Sequence, residues 1–222
     1  EIDKLIVCTG SGNNAGDGFV LACLAHLDGI YVEIYALRDP KTLTGAALTA
    51  VNDCFKAGVP IKMYHADLPF DSDVVVDALL GIGLEGEVRE PYVSMINVIN
   101  DHNIDVMSLD VPSGIDADTG CIRGAAIDAD VTVSFIALKQ GLYTRKGVNR
   151  CGEFSLSTLD IPAEILSCAL PNAEIIDWEH IRPHLPKRSC DTHKGNYGHV
   201  LIIGGEYGMG GAVRMAAEGA LR

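Results

Sequence analysis

Positive charge is what this sequence has least of. Its 17 lysines and arginines face 30 aspartates and glutamates, giving a formal net charge of −13 over 222 residues. That balance argues against nonspecific binding to nucleic acid or to a membrane surface. It also means that an anionic ligand must be held mainly by backbone amides, with only a few local cations. A C-x-x-C pair is missing too. The seven cysteines are odd in number and unpatterned, which argues against a disulfide framework or a zinc site and points to reduced thiols in an intracellular, cytoplasmic setting. Cys8, Cys23 and Cys54 stand in apolar contexts and read as core packing. No apolar run reaches membrane-spanning length and no signal peptide is recognisable. The chain opens at Glu1, almost directly in a strand, and reads as a piece of a longer protein. Hydrophobic residues, by contrast, make up 48% of the chain, enough for a full core.

The chain is organised around residues 5–18. Residues 5–8 are a short apolar run that reads as a buried strand. Gly10, Gly12, Gly16 and Gly18 break it, and apolar residues at helical spacing resume over 19–26. Such a strand–turn–helix aims backbone N–H groups and a helix N-terminus at one point, which suits an anion such as phosphate. Asn13, Asn14 and Asp17 add oxygens that a phosphate cradle does not need, so the loop is expected to hold a cation or a ribose-like hydroxyl as well. Gly16 is read as leaving room for the ligand, so a bulky side chain there should weaken binding more than folding.

Further strands are expected over 30–37, 60–64, 73–78, 105–110, 131–136 and 153–159, and helices over 43–57 and 91–102. This alternation predicts an α/β fold, a three-layer α/β/α sandwich with a mostly parallel sheet. Function is then expected at the carboxyl ends of the strands. Four of those ends carry unusual residues: Asn13, Asn14 and Asp17; Asp77 with the loop 81–87; Asp110 with Ser113; and Lys139. Each has an ordinary alternative, as a turn residue, a helix cap or a solvated lysine. Their recurrence at one sheet edge favours a shared site. The G-x-G-x-x-A pattern from Gly10 to Ala15, with Asp39 near the end of the second strand, also fits a dinucleotide-binding fingerprint. Alone that match is weak, and it leaves the Asn-Asn pair and the 81–87 loop unexplained.

Four ordered motifs carry a closer resemblance: Asn13-Asn14-Ala15-Gly16-Asp17-Gly18, the loop from Asp77 to Glu87, Asp110-Val111-Pro112-Ser113-Gly114, and Ala137-Leu138-Lys139-Gln140-Gly141-Leu142. Together they resemble the NAD(P)H-hydrate epimerase domain, also called the YjeF N-terminal domain, from about residue 4 to about 166. The resemblance implies a Rossmann-like fold and epimerisation, at C6 of the damaged ring, of the R and S hydrates of NADH and NADPH. It implies a potassium ion at Asn14, Asp77 and Ser113. It implies that substrate is held by Asn13, Asn14, Ala15, Gly16 and Asp17 and by Gly81, Ile82, Gly83, Leu84, Glu85, Gly86 and Glu87, with Asp110 at the reacting ring. The family's helical segment before the first strand is missing, and Ala15 stands where glycine is common. Hard oxygen donors at these positions suit an alkali or alkaline-earth ion. Asp110 is the candidate general acid and base, with Lys139 orienting it or balancing its charge. Asp77→Asn should then lower potassium affinity and activity while leaving the thermal midpoint in potassium-free buffer nearly unchanged.

Past residue 166 the character changes. A strand is expected over 173–176, a short helix over 178–185, and a linker around Pro183, Pro186, Lys187, Arg188 and Ser189. His193, Lys194, Gly195 and Gly198 precede an apolar strand over 200–203, a second glycine-rich turn and a helix over 212–221. This stretch resembles the start of the ADP- or ATP-dependent NAD(P)H-hydrate dehydratase domain, a ribokinase-like fold using Mg2+. The expected division is 1–184 for the epimerase domain, 185–197 for the linker and 198–222 for the first βα unit of the dehydratase domain. That much of it should not dehydrate the hydrate. A small-molecule substrate is expected, and a homo-oligomer is left open. Two other classes stay open: a nicotinamide-dependent oxidoreductase, and a catalytically inert interaction module, which retention of Asp77, Asp110, Ser113 and Lys139 disfavours.

Overall fold

The computed structural model describes residues 2–166, 168–169, 171–185, 187 and 189–221. The chain divides into two compact units, residues 1–171 and 172–222.

In the first unit, seven strands form one sheet: β1 (Lys4–Thr9), β2 (Tyr31–Ala36), β3 (Ile61–Met63), β4 (Val74–Ala78), β5 (Asp105–Leu109), β6 (Val131–Phe135) and β7 (Glu153–Ser157). Their order is β3-β2-β1-β4-β5-β6-β7, and every pairing is parallel. Consecutive parallel strands need crossovers, and helices α1 (Asn13–Leu27), α2 (Gly45–Ala57) and α3 (Tyr92–Asp101) supply three of them. Side chains of β1 alternate between two cores, as a strand covered on both faces requires. Leu5 and Val7 pack with Phe19 and Ala22 of α1 and Ala47 and Val51 of α2. Ile6 and Cys8 pack with Met95, Ile96 and Ile99 of α3. The chain reverses its direction of winding between β1 and β4. That is the switch point at which an open parallel sheet leaves a crevice beyond its strand ends.

The helix after β1 starts six residues earlier than its periodicity suggests. Asn13, Asn14, Gly16 and Gly18 are poor helix formers by propensity, yet all lie within α1. Packing overrides propensity here. A Cβ on Gly18 would stand 2.5 Å from the Ala78 Cβ on β4, and one on Gly16 would stand 2.9 Å from the Ala47 Cβ on α2. These glycines let α1 press against a strand and a helix at once. A side chain on Gly16 would therefore meet Ala47 of α2, where the sequence reading left room for a ligand. Gly16→Val is instead expected to destabilise the fold by about 1–3 kcal/mol through overpacking, read as a drop in the urea midpoint. An unchanged midpoint would count against this packing role.

The second unit contains α5 (Trp178–Ile181), with Asp177 accepting a hydrogen bond from the His180 N–H at 2.9 Å, and α6 (Gly211–Ala220); the short α4 (Ala163–Leu166) precedes it in the first unit. Residues 173–176 and 200–203 do not form strands. A strand gains its backbone hydrogen bonds from a neighbour, and 200–203 has none among the described residues; Leu201 and Ile203 are largely exposed. The helix expected over 178–185 is one α-turn followed by a 3-10 turn, Arg182–His184. Pro186 and Arg188 of the expected linker, and the side chain of Lys194, lie outside the described residues.

Candidate functional site

The site is built at the carboxyl ends of β1, β4, β5 and β6. Gly10 follows β1 because nothing larger fits: its Cβ would lie 2.0 Å from the Leu79 carbonyl oxygen and 3.1 Å from the Tyr92 ring. Gly12 caps α1 in extended backbone with no side-chain cap, and a Cβ on it would meet nothing within 4 Å. The first N–H groups of α1 are thus left without a side-chain acceptor at an open edge, where the helix dipole favours an anion.

Behind that edge lies a buried polar knot. Asp77, the fourth residue of β4, is fully buried. Its carboxylate accepts four hydrogen bonds: from the Leu79 N–H at 3.2 Å, the Ser113 Oγ at 2.6 Å, the Ser113 N–H at 2.8 Å and the Ser108 Oγ at 2.8 Å. Burial raises its pKa, and the Ser113 and Ser108 bonds act in the opposite direction. The Leu80 peptide links the knot to α1. Its N–H donates to the Ser113 Oγ at 2.9 Å and its carbonyl accepts from the Asn14 Nδ2 at 2.9 Å. Asn14 is 7% exposed, and its buried Oδ1 has no hydrogen-bond partner. A buried amide oxygen without a donor is a costly arrangement unless something positive meets it. Asn14 and Ser113 therefore meet at Leu80, and Asp77 joins them through Ser113.

The strand ends beside the knot hold a charged pair. Asp110 directly follows β5 at φ 68°, and Ile136 directly follows β6 at φ 66°. For a β-branched residue such a backbone is an outlier, and each strained position costs about 1–3 kcal/mol, typically retained where geometry matters for function. Between them, the Asp110 Oδ1 accepts from the Phe135 N–H at 3.1 Å and from the Lys139 Nζ. Lys139 also donates to the Phe135 carbonyl at 2.7 Å and to the Ser134 Oγ at 3.2 Å. Both side chains are about 15% exposed. The second Asp110 oxygen accepts no hydrogen bond among the described residues. Asp17 on α1 comes close enough that the Asp110 charge, after partial burial, raises its carboxyl pKa.

Of the loop 81–87, Gly81 lies against Asn14, where a Cβ would come within 3.1 Å. Gly83 and Gly86 have open space around them, Ile82 is exposed, and Leu84 packs on the α3 side of the core. Glu85 is exposed, and Glu87 lies beside Gly124. Asn13 is exposed at the start of α1, and Ala15 is buried in it. Sequence reasoning missed Ser108, Tyr92 and the Leu80 peptide. Ser108 was detectable as a polar residue inside an apolar strand. Tyr92, whose hydroxyl lies 3.2 Å from the Ser11 Oγ at the rim, and the Leu80 main chain carry no sequence signal.

Among the described residues, no three His, Cys, Asp or Glu side chains cluster as a metal site. A cation at this edge would have to be held by amide, hydroxyl and backbone oxygens. The unpartnered Asn14 Oδ1, joined to Ser113 through the Leu80 backbone with the Asp77 charge behind it, fits a monovalent ion such as potassium. These donors, with one carboxylate already hydrogen-bonded on both oxygens, do not fit Mg2+.

Comparison with known proteins agrees with this architecture. The chain is 48% identical over all of its 222 residues to the bifunctional NAD(P)H-hydrate repair enzyme Nnr of Coxiella burnetii, covering 46% of that protein. It is 38% identical over 218 residues, 98% of its length, to Nnr of Escherichia coli, covering 42% of that protein. The chain thus spans under half the length of these curated relatives. A crystal structure of yeast ynu0 superposes with a TM-score of 0.63 at 24% identity, covering 80% of this chain and 74% of that one, a likeness of fold. The model of the family described as YjeF-related protein N-terminus matches residues 1–141, the span that contains the glycine edge, the Asp77 knot and the Asp110–Lys139 pair, and the chain belongs to that family.

Proposed function

We propose that this chain epimerises the R and S hydrates of NADH and NADPH at C6 of the hydrated ring. The observation that carries the reading is Asp110. One of its oxygens is fixed by Lys139 and the Phe135 N–H, while the other is uncommitted at the edge that α1 prepares for phosphate. C6 of the hydrate bears a hydroxyl and is bonded to the ring nitrogen. In the acid form, Asp110 gives its proton to that hydroxyl. Water leaves as the nitrogen lone pair forms a C=N bond, and water then adds from the other face and returns a proton to the carboxylate. A positioned acid–base group of this kind supplies typically 10²- to 10⁴-fold. Lys139 is a positioning residue that keeps the carboxylate aimed. The α1 N–H groups hold the pyrophosphate.

A potassium ion would be held by Asn14 and Ser113 with the Asp77 charge behind them. It would supply positive charge where a dinucleotide enters a protein of net charge −13. Replacing potassium by tetramethylammonium at equal ionic strength is expected to slow interconversion of the hydrates about tenfold or more, followed by NMR of the C6 proton. Asn14→Ala should abolish the difference between the two salts. Equal rates in both salts with the natural chain would rule out a functional ion.

The two Nnr proteins named above are bifunctional. The longer protein would also dehydrate the S form using ADP or ATP with Mg2+, and no residue of this chain is assigned to that step. All seven cysteines are unpaired, which supports a reducing, cytoplasmic setting. Among the described residues no helix is long and apolar enough to cross a membrane.

A further inference from the structure

We infer that the adenosine half of the substrate lies over the end of β2 and that Arg38 binds a 2′-phosphate there, so the site prefers the phosphorylated dinucleotide. The inference rests on the reading of the edge as a dinucleotide-hydrate site and names the part of the ligand that the edge selects.

The sheet order fixes the direction in which the ligand runs. The reacting ring belongs at Asp110, just past the end of β5. The uncapped start of α1, where the phosphates belong, follows β1. β5 and β1 are separated only by β4, so the two points are two strand spacings apart, on the order of 10 Å. Asn14, buried in the first turn of α1 with an unpartnered oxygen, marks that helix start as a place where something polar belongs. The opposite direction from Asp110 leads to β6, where the lysine is already taken by Asp110 itself. A ligand that runs from β5 past β1 reaches β2 after one more strand.

The β1–β2 ladder continues one residue past β2, where the Leu37 N–H donates at 2.9 Å to the carbonyl of Thr9, the last residue of β1. Arg38 is therefore carried to the level of the glycine turn. It is exposed, and its guanidinium pairs with no carboxylate among the described residues. Asp39, the acidic residue that the dinucleotide fingerprint would assign to a free ribose 2′-hydroxyl, already spends one carboxylate oxygen elsewhere. Its Oδ1 accepts the Lys41 N–H at 3.0 Å and caps the short helix Pro40–Thr42. At this position of the fold an acid selects an unmodified ribose and an arginine accommodates a 2′-phosphate. The side chain with no bond of its own among the described residues is the arginine, whose planar fork matches phosphate oxygens.

Titration calorimetry of the whole chain with adenosine 2′,5′-bisphosphate and with adenosine 5′-monophosphate tests this. The bisphosphate is expected to bind at least about tenfold more tightly. Arg38→Ala should erase the difference by weakening only the bisphosphate, and Arg38→Lys should restore part of it; circular dichroism would confirm that both variants are folded. In epimerisation assays Arg38→Ala should raise KM for the NADPH hydrate about tenfold while leaving kcat, and both constants for the NADH hydrate, within twofold. Equal binding of the two probes, no binding of either, or a preference that survives Arg38→Ala would overturn the inference. A chain that shows the Arg38-dependent preference but interconverts neither hydrate would overturn the epimerase reading alone. A chain that epimerises both hydrates equally well with and without Arg38 would overturn this inference alone.

Discussion

Asp110→Asn is expected to slow interconversion of the hydrate epimers by at least about 10²-fold, with the loss in kcat and little change in KM. The asparagine is nearly isosteric. Its oxygen can still accept from the Phe135 N–H and from Lys139, so the strained turn after β5 and the neighbouring knot should persist and the thermal midpoint should move little. What disappears is a group that can hold a proton at one step and release it at the next. Lys139→Ala should also reduce kcat but by less, because the carboxylate stays in place and loses only its orientation. An Asp110→Asn chain that is folded and keeps the full rate would remove Asp110 from the chemistry.

The second large effect concerns Asp77, and here the structure reverses a sequence expectation. From its place at a strand end, Asp77 reads as a ligand whose conversion to asparagine leaves stability untouched. In the fold it accepts four hydrogen bonds in a fully buried position. Two of the donors, the Leu79 and Ser113 N–H groups, act on different oxygens of the carboxylate and cannot turn round. Whichever oxygen becomes an amide, one backbone N–H then faces an NH₂ group. A buried donor left unsatisfied costs about 1–3 kcal/mol, and the remaining bonds lose their charge assistance. Asp77→Asn should therefore lower the unfolding free energy by about 2–4 kcal/mol, read from the urea midpoint in potassium-free buffer. A midpoint matching that of the natural chain would restore the simpler view of Asp77 as an ion ligand alone.

The parallel sheet was legible because its strands are short apolar runs bounded by glycine, proline and acidic residues, and doubly covered strands need no alternation. Asp77 and Asp110 stood out as the first charges after such runs. The start of α1 was not legible. Gly16 and Gly18 look like turn residues until their contacts with Ala47 and Ala78 are seen, and helix propensity gives way to that packing. The hub of the site was also hidden, because Leu80 takes part through its backbone N–H and carbonyl, which any residue type except proline would offer. Residues 200–203 show the opposite failure. Their β-branched, apolar composition is that of a strand, but composition cannot supply the neighbour whose hydrogen bonds would make it one.

Interconversion of the two hydrates at this edge can be followed directly. The most direct measurement starts from purified S hydrate of NADPH in potassium buffer and follows appearance of the R form by NMR at several protein concentrations. The expected result is a first-order approach to a fixed R:S ratio, at a rate proportional to the folded protein and lost with Asp110→Asn. A rate equal to that of buffer alone, at protein concentrations where the chain is folded and binds the hydrate, would contradict it.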